Sequence, residues 1–249
     1  MEISVQLLTI LFFVAMLAGF VDAAAGGGGL IVVPALLLSG LNPIAALATN
    51  KLQGSAGSLS ASLTMIKKGI AKPKTIKTAL ILAFVGSAVG TVLVQLSPPD
   101  FLKIAIPFVV GAMGLYTLFS PNLGNYQKPP KLSHKAWQNG VVPAIGFYDG
   151  YFGPGTGTFF SLSGVVGRGQ DLVAATGNAK LLNFATNLAS LIFFIIGGQV
   201  VWAIGLVMIV GQVIGAYLGS HMVIKGGAKY IRPMIVLMCF LMVVRYVFW

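Results

Sequence analysis

Two stretches decide how this chain folds. One is Gly19-Phe20-Val21-Asp22-Ala23-Ala24-Ala25-Gly26-Gly27-Gly28-Gly29. The other, 127 residues further on, is Gly146-Phe147-Tyr148-Asp149-Gly150-Tyr151-Phe152-Gly153-Pro154-Gly155-Thr156-Gly157. Each lies inside a longer apolar run, residues 3–40 and 139–167, and breaks it near the middle. Neither run reads as one straight helix. Each reads as a pair of segments, either two crossings or a re-entrant hairpin with discontinuous helices. Irregular backbone survives at membrane depth only where it is buried in protein or lines a wet cavity.

The rest of the chain makes the solvent lipid. Of 249 residues, 57% are apolar and only 8% charged, against about 25% charged in a soluble domain. The 32 glycines and 12 prolines sit inside Leu/Ile/Val/Phe runs, where membrane helices tolerate them. A crossing needs about 20 apolar residues, and further runs of that kind occupy 45–66, 75–96, 101–119, 174–196, 199–221 and 231–248. The first run, with Glu2 ahead of it and no basic residue, is read as a retained helix rather than a cleaved signal.

Loop charge gives orientation. Lys67, Lys68, Lys72, Lys74 and Lys77 share one linker, and Lys128, Lys131 and Lys135 another. Arg168 stands alone, and Lys225, Lys229 and Arg232 cluster near the end. Positive charge marks cytoplasmic loops, so all four regions are placed inside. The loops at Pro98-Pro99-Asp100 and Gly197-Gly198-Gln199 are nearly neutral and are placed outside, as are both termini. The net charge of +11 is thus a matter of topology, not of nucleic-acid binding.

The two opening stretches belong to a longer repeat. Ala48-Thr49-Asn50-Lys51-Leu52 matches Ala175-Thr176-Gly177-Asn178-Ala179-Lys180-Leu181, with two residues inserted. Gly86 and Gly90 are matched to Gly211 and Gly215, and Pro107 to Pro233. The basic linker 67–77 is matched by the neutral loop 197–199, and the neutral loop near Asp100 by the basic segment 222–232. The charge bias is therefore swapped between the halves. The expected architecture is an all-α polytopic membrane protein of two inverted-topology repeats, each a broken or re-entrant helix pair plus three transmembrane helices. The repeats fall at 1–119 and 139–249, joined by a cytoplasmic linker at 120–138. Inverted repeats with sites at mid-depth are typical of secondary transporters.

Ionisable groups inside a bilayer cost about 2.5–3.5 kcal/mol each on insertion scales, so each needs a reason. Asp22 and Asp149 precede the two breaks. They read either as proton carriers or as caps for free N–H groups of the next half-helix. Lys51 and Lys180 read as anion-attracting ammonium groups, or as snorkelling or aspartate-paired lysines. The glycine tracts serve close helix packing, anion binding by exposed backbone N–H groups, or both. A substrate site is accordingly expected from Gly26, Gly27, Gly28, Gly29, Asn50, Lys51, Gly153, Gly155, Thr156, Asn178 and Lys180.

Other chemistry finds little support. His134 and His221 lack metal-ligand spacing, the single Cys239 cannot form an intrachain disulfide, and no catalytic triad or carboxylate pair is evident. No enzyme activity, metal or cofactor is expected. Trp137, Trp202, Tyr246 and Trp249 read as interface anchors.

On the paired motifs GFVDAAAGGGGLIVVPALLLSGLNPIAALATNK, GFYDGYFGPGTGTFF and ATGNAKLLNF, the chain resembles the sulfite exporter TauE/SafE family, also called the 4-toluene sulfonate uptake permease family. The resemblance covers essentially the whole chain. It implies a multi-pass inner-membrane transporter of a bacterium or archaeon that moves a small anion such as sulfite, thiosulfate, a sulfonate or sulfoacetate. The expected partners are that solute and the lipid bilayer, with proton coupling through Asp22 or Asp149 as a hypothesis. A homo-oligomer is compatible with the sequence. The rival readings are an anion channel and a non-transporting membrane scaffold.

Overall fold

The structure is a computed structural model that describes residues 3–119 and 129–226. The span expected at 231–248, with Pro233, Cys239, Arg245, Tyr246 and Trp249, lies outside the described residues, as do Lys128, Lys229 and Arg232.

Ten α-helical segments make up the described chain: α1 (Val5–Ala25), α2 (Gly29–Leu38), α3 (Pro43–Lys67), α4 (Lys77–Gln95), α5 (Pro99–Phe119), α6 (His134–Ala136), α7 (Val142–Tyr151), α8 (Thr156–Leu162), α9 (Leu172–Ile196) and α10 (Trp202–Gly226). A 3₁₀ turn at Pro73–Ile76 leads into α4, and π turns at Trp137–Val141 and Ser163–Gly167 flank α7 and α8. Local chemistry sets the boundaries. Ser4, Asn42 and Asp171 each accept a backbone N–H three residues ahead, at 3.2, 2.9 and 2.9 Å, and so start α1, α3 and α9. Gly26 stops α1 in the left-handed region (φ 83°), and its N–H donates to Asp22 O at 2.7 Å.

Both apolar runs break where the glycines stand. The first is a 21-residue helix followed by one of 10 residues. At 1.5 Å per residue, α2 reaches only about half way across a hydrocarbon core about 30 Å thick. Segments 5–25, 73–95, 172–196 and 202–225 are long and apolar enough to cross a membrane. The protein is a multi-pass helical membrane protein.

Its packing is inside-out relative to a soluble bundle. α3 is as long as any of these helices, but it carries Thr49, Asn50, Lys51, Gln53, Ser55, Ser58 and Ser62, all buried. Leu59, Leu63 and Ile66 of the same helix are exposed. Apolar ridges at four-residue spacing face outward elsewhere too: Phe13 and Leu17 on α1, Ile81, Val85 and Val89 on α4, and Leu206, Val210 and Ile214 on α10. Such an exterior suits lipid, and polar groups are turned to the bundle interior. Trp202 is half exposed, as an interface anchor would be, but Trp137 is not an anchor. It is buried, and its indole N–H donates to Ser163 Oγ at 3.0 Å beneath the π turn.

Glycine contacts reveal helix direction. A Cβ at Gly211, Gly215 or Gly219 would overlap the backbone of Phe12, Met16 or Phe20, so α1 and α10 run parallel. A Cβ at Gly86 or Gly90 would overlap Pro143 or Phe147, so α4 and α7 run parallel. Leu52, Gly57 and Ser60 of α3 meet Gly205, Gln212 and Val213 of α10 in the same order. Between α3 and α9 the order reverses. Thr49 lies by Val201, just after α9, and Gly177 lies by Ile70, just after α3.

These contacts also correct one match in the repeat. Met16 and Pro143, and Phe20 and Phe147, are each 127 residues apart, and they face Gly215 and Gly86, and Gly219 and Gly90. The equivalent of Gly86 is therefore Gly215 rather than Gly211, and that of Gly90 is Gly219, one helical turn further on. The resulting offset of 129 also relates Asn42 to Asp171 and Lys51 to Lys180. The change of offset falls between Gly155 and Asp171, the segment holding the π turn Ser163–Gly167. Extra residues inside a helix are commonly absorbed as π-bulges.

Candidate functional site

Two broken helix pairs meet at one point. A Cβ at Gly26 would collide with the backbone of Gly157, and the Thr158 hydroxyl donates to Ala25 O at 2.7 Å. The absence of side chains at both breaks is what lets the two turns touch.

Around that contact lies a small polar cavity. Asp22, Gly26, Gly28 and Gly29 line it from the first break, and Asp149, Gly153, Gly155, Thr156 and Gly157 from the second. Asn50, Gln53 and Gly54 of α3, Asn183 and Asn187 of α9, and Gln212 of α10 close it. These residues fall near the middle of three 25-residue helices, which sets the cavity at mid-depth. It leaves about 20 Å³ for the centre of a water-sized sphere, enough for one water.

The charges are arranged crosswise. Lys51 Nζ is 2.7 Å from Asp149 Oδ2, and Lys180 Nζ is 3.5 Å from Asp22 Oδ2, so each lysine neutralises the aspartate of the other break. Lys180 also donates to the Asp22 backbone oxygen. Both lysines are almost wholly buried, at 1% and 0% exposure. The remaining carboxylate oxygens are also engaged. Asp22 Oδ1 accepts the Gly28 N–H at 3.2 Å, as a cap ahead of α2 would. Asp149 Oδ1 accepts the Thr156 hydroxyl at 2.6 Å, which also lies 2.8 Å from Gly153 O.

The amides form two similar pairs. Gln53 Nε2 donates to Asn50 O at 3.1 Å and to Asn50 Oδ1 at 2.9 Å. Asn187 Nδ2 donates to Asn183 O at 2.8 Å and to Asn183 Oδ1 at 3.2 Å. One pair spans i,i+3 and the other i,i+4, so each lies on one helix face.

Of the residues singled out in the sequence, Asp22, Gly26, Gly28, Gly29, Asn50, Asp149, Gly153, Gly155 and Thr156 line the cavity together. Lys51 and Lys180 stand one layer behind, held by the carboxylates. Gly27 is buried outside the lining. Asn178 is half-buried and also outside it. With the offset at 129, the counterpart of Asn50 is Ala179, and Asn178 lies about 100° round the helix. Sequence reasoning missed Gln53, Asn183, Asn187 and Gln212: Leu182, Gly54 and Ala83 stand opposite three of them in the repeat, and only Asn187 has a polar counterpart, Ser58. The available signal was the i,i+3 and i,i+4 spacing of carboxamides within apolar helices.

Lipid-facing apolar ridges around a mid-depth polar cavity, with buried charges neutralised in pairs, define a multi-pass membrane protein of the transporter class. The chain belongs to the sulfite exporter TauE/SafE family, which it matches over residues 11–246. It is 47% identical over 248 residues to a probable membrane transporter protein of Haemophilus influenzae, covering 100% of this chain and 97% of that protein. It is 44% identical over 235 residues to the probable membrane transporter protein YfcA of Escherichia coli K12, covering 94% and 87%. A Sinorhizobium protein, the probable membrane transporter protein ORF9, is 39% identical over 244 residues, covering 98% and 94%. No solved structure matches the chain.

Proposed function

We propose that this protein is a secondary transporter that moves a small anion, a sulfur oxyanion or organosulfonate, across the inner membrane of a bacterial or archaeal cell by alternating access. The carrying observation is the mid-depth cavity where two helix breaks meet over crosswise Lys–Asp pairs. Gly29, at the start of α2, and Gly157, in the first turn of α8, line it, so the positive ends of two helix dipoles face the space where an anion would sit. Family membership supports the substrate class.

In this reading residues 1–119 and 139–249 are repeats of opposite orientation, linked by 120–138. The contact register supports it: α3 and its counterpart α9 run antiparallel, while α1 follows α10 and α7 follows α4. The cavity holds about one water, so a solute enters only when the helices around the breaks part towards one face or the other. Asp22 and Asp149 are proposed to couple the cycle to protons. Protonation removes the carboxylate charge and releases the facing lysine to the anion.

The test is uptake of labelled sulfite into proteoliposomes. A transporter shows saturation and counterflow, in which internal unlabelled sulfite accelerates entry of label. Flux that neither saturates nor shows counterflow identifies a channel, and absence of flux for every sulfur oxyanion supports the scaffold reading.

A further inference from the structure

The cavity presents hydrogen-bond acceptors that an unprotonated anion leaves empty. Gln53 and Gln212 are 1% and 2% exposed and both line the cavity. Among the described residues nothing donates to Gln53 Oε1 or Gln212 Oε1. A buried acceptor without a partner has lost its water and gained nothing in return, so two of them in one polar cavity point to a ligand that donates.

The orientation of Gln53 is fixed by its own helix. Its Nε2 donates to the backbone oxygen of Asn50, which can only accept, so Oε1 must point away from that bond. The same amide nitrogen donates to Asn50 Oδ1, which leaves Asn50 Nδ2 on the side of Gly29, 3.5 Å from where a Cβ there would stand. Asn187 and Asn183 repeat the pattern. Asn187 Nδ2 is spent on the Asn183 backbone oxygen, and Asn187 Oδ1 lies over the bare Cα of Gly54. Each amide pair is therefore polarised. Its asparagine at the earlier position (Asn50, Asn183) keeps an N–H donor, and its later member (Gln53, Asn187) presents an oxygen.

We infer that the site takes a compact oxyanion that carries both a single negative charge and a proton, such as hydrogensulfite, in preference to a dianion or to a sulfonate lacking O–H. The N–H groups of Asn50 and Asn183 and the glycine backbone meet the charged oxygens, and Gln53 and Gln212 accept the proton-bearing group. This inference rests on the anion-transport reading and narrows its substrate.

The charged groups around the site are Asp22 on α1, Asp149 on α7, Lys51 on α3 and Lys180 on α9. Their titration would alter binding of any anion, whereas ligand protonation alters only sulfite. The experiment is calorimetric titration of the purified full chain in detergent with sulfite and with methanesulfonate, one pH unit below and one above neutrality. Methanesulfonate has the same three-oxygen head and stays singly charged, but carries a methyl on sulfur and no O–H.

Sulfite is expected to bind several-fold more tightly at the lower pH, in step with its protonated fraction, and methanesulfonate to bind more weakly than sulfite there. In Gln53→Met and Gln212→Met, sulfite is expected to lose its advantage over methanesulfonate. Sulfite binding that tightens as pH rises, equal binding of the two ligands by the unmodified protein, or an advantage kept in both variants overturns the inference and leaves the transport reading standing. Failure of both ligands to bind at either pH sinks both readings. If the variants do not yield a monodisperse protein, the comparison on the unmodified chain decides alone.

Discussion

Lys51 of the first half lies 2.7 Å from Asp149 of the second, so the charge at one helix break is cancelled from the opposite half of the chain. Removing one member strands a buried charge, which destabilises by about 3–5 kcal/mol, whereas a well-packed apolar pair is often neutral or better. Lys51→Ala and Asp149→Ala should each lower the melting temperature in detergent sharply. Lys51→Met combined with Asp149→Leu should restore it while abolishing sulfite uptake. Full uptake by the double variant would assign the pair to structure alone.

Asp22 and Asp149 carry the coupling hypothesis. Asparagine imitates a protonated aspartate and keeps an oxygen for the Gly28 N–H and the Thr156 hydroxyl. Asp22→Asn with Asp149→Asn leaves both lysines without a counter-charge and should melt lower; the protein that stays folded in proteoliposomes should retain exchange of labelled sulfite but no longer respond to an imposed pH gradient. An undiminished response would remove both aspartates from the proton path.

The glycine ridges predict a graded packing effect. Alanine at Gly150 or Gly215 would drive a methyl into the backbone of Ser87 or Met16. Overpacking of this kind costs about 1–3 kcal/mol. Gly140, with open space where its Cβ would go, is the control. Gly150→Ala and Gly215→Ala should lower thermal stability in detergent, and Gly140→Ala should leave it unchanged. Equal melting temperatures for all three would contradict the close helix approach.

Much of this site was legible because it is duplicated. Asp22 and Asp149, and Lys51 and Lys180, are costly residues in lipid that recur at the same place in each half, and recurrence separated them from chance. Pairing across halves was not legible: a repeat shows which residues are equivalent, not that Lys51 skips the aspartate of its own half. The amides escaped for the complementary reason. Asn183 answers to Gly54 and Gln212 to Ala83, so a search for duplicated polarity passes over them. The one-turn slip between Gly211 and Gly215 arose because glycines at four-residue spacing align equally well in either register, and only the facing backbone distinguishes them.

The central claim is that the two halves cross the membrane in opposite senses, which puts residues 67–77 and 197–199 on different faces. With Cys239, the sole cysteine, replaced by serine, single cysteines at Lys72 and at Gln199 can be labelled in intact cells with a membrane-impermeant maleimide. The account predicts labelling of the Gln199 position from outside, and of the Lys72 position only after the membrane is opened. Labelling of both positions from the same side would contradict it.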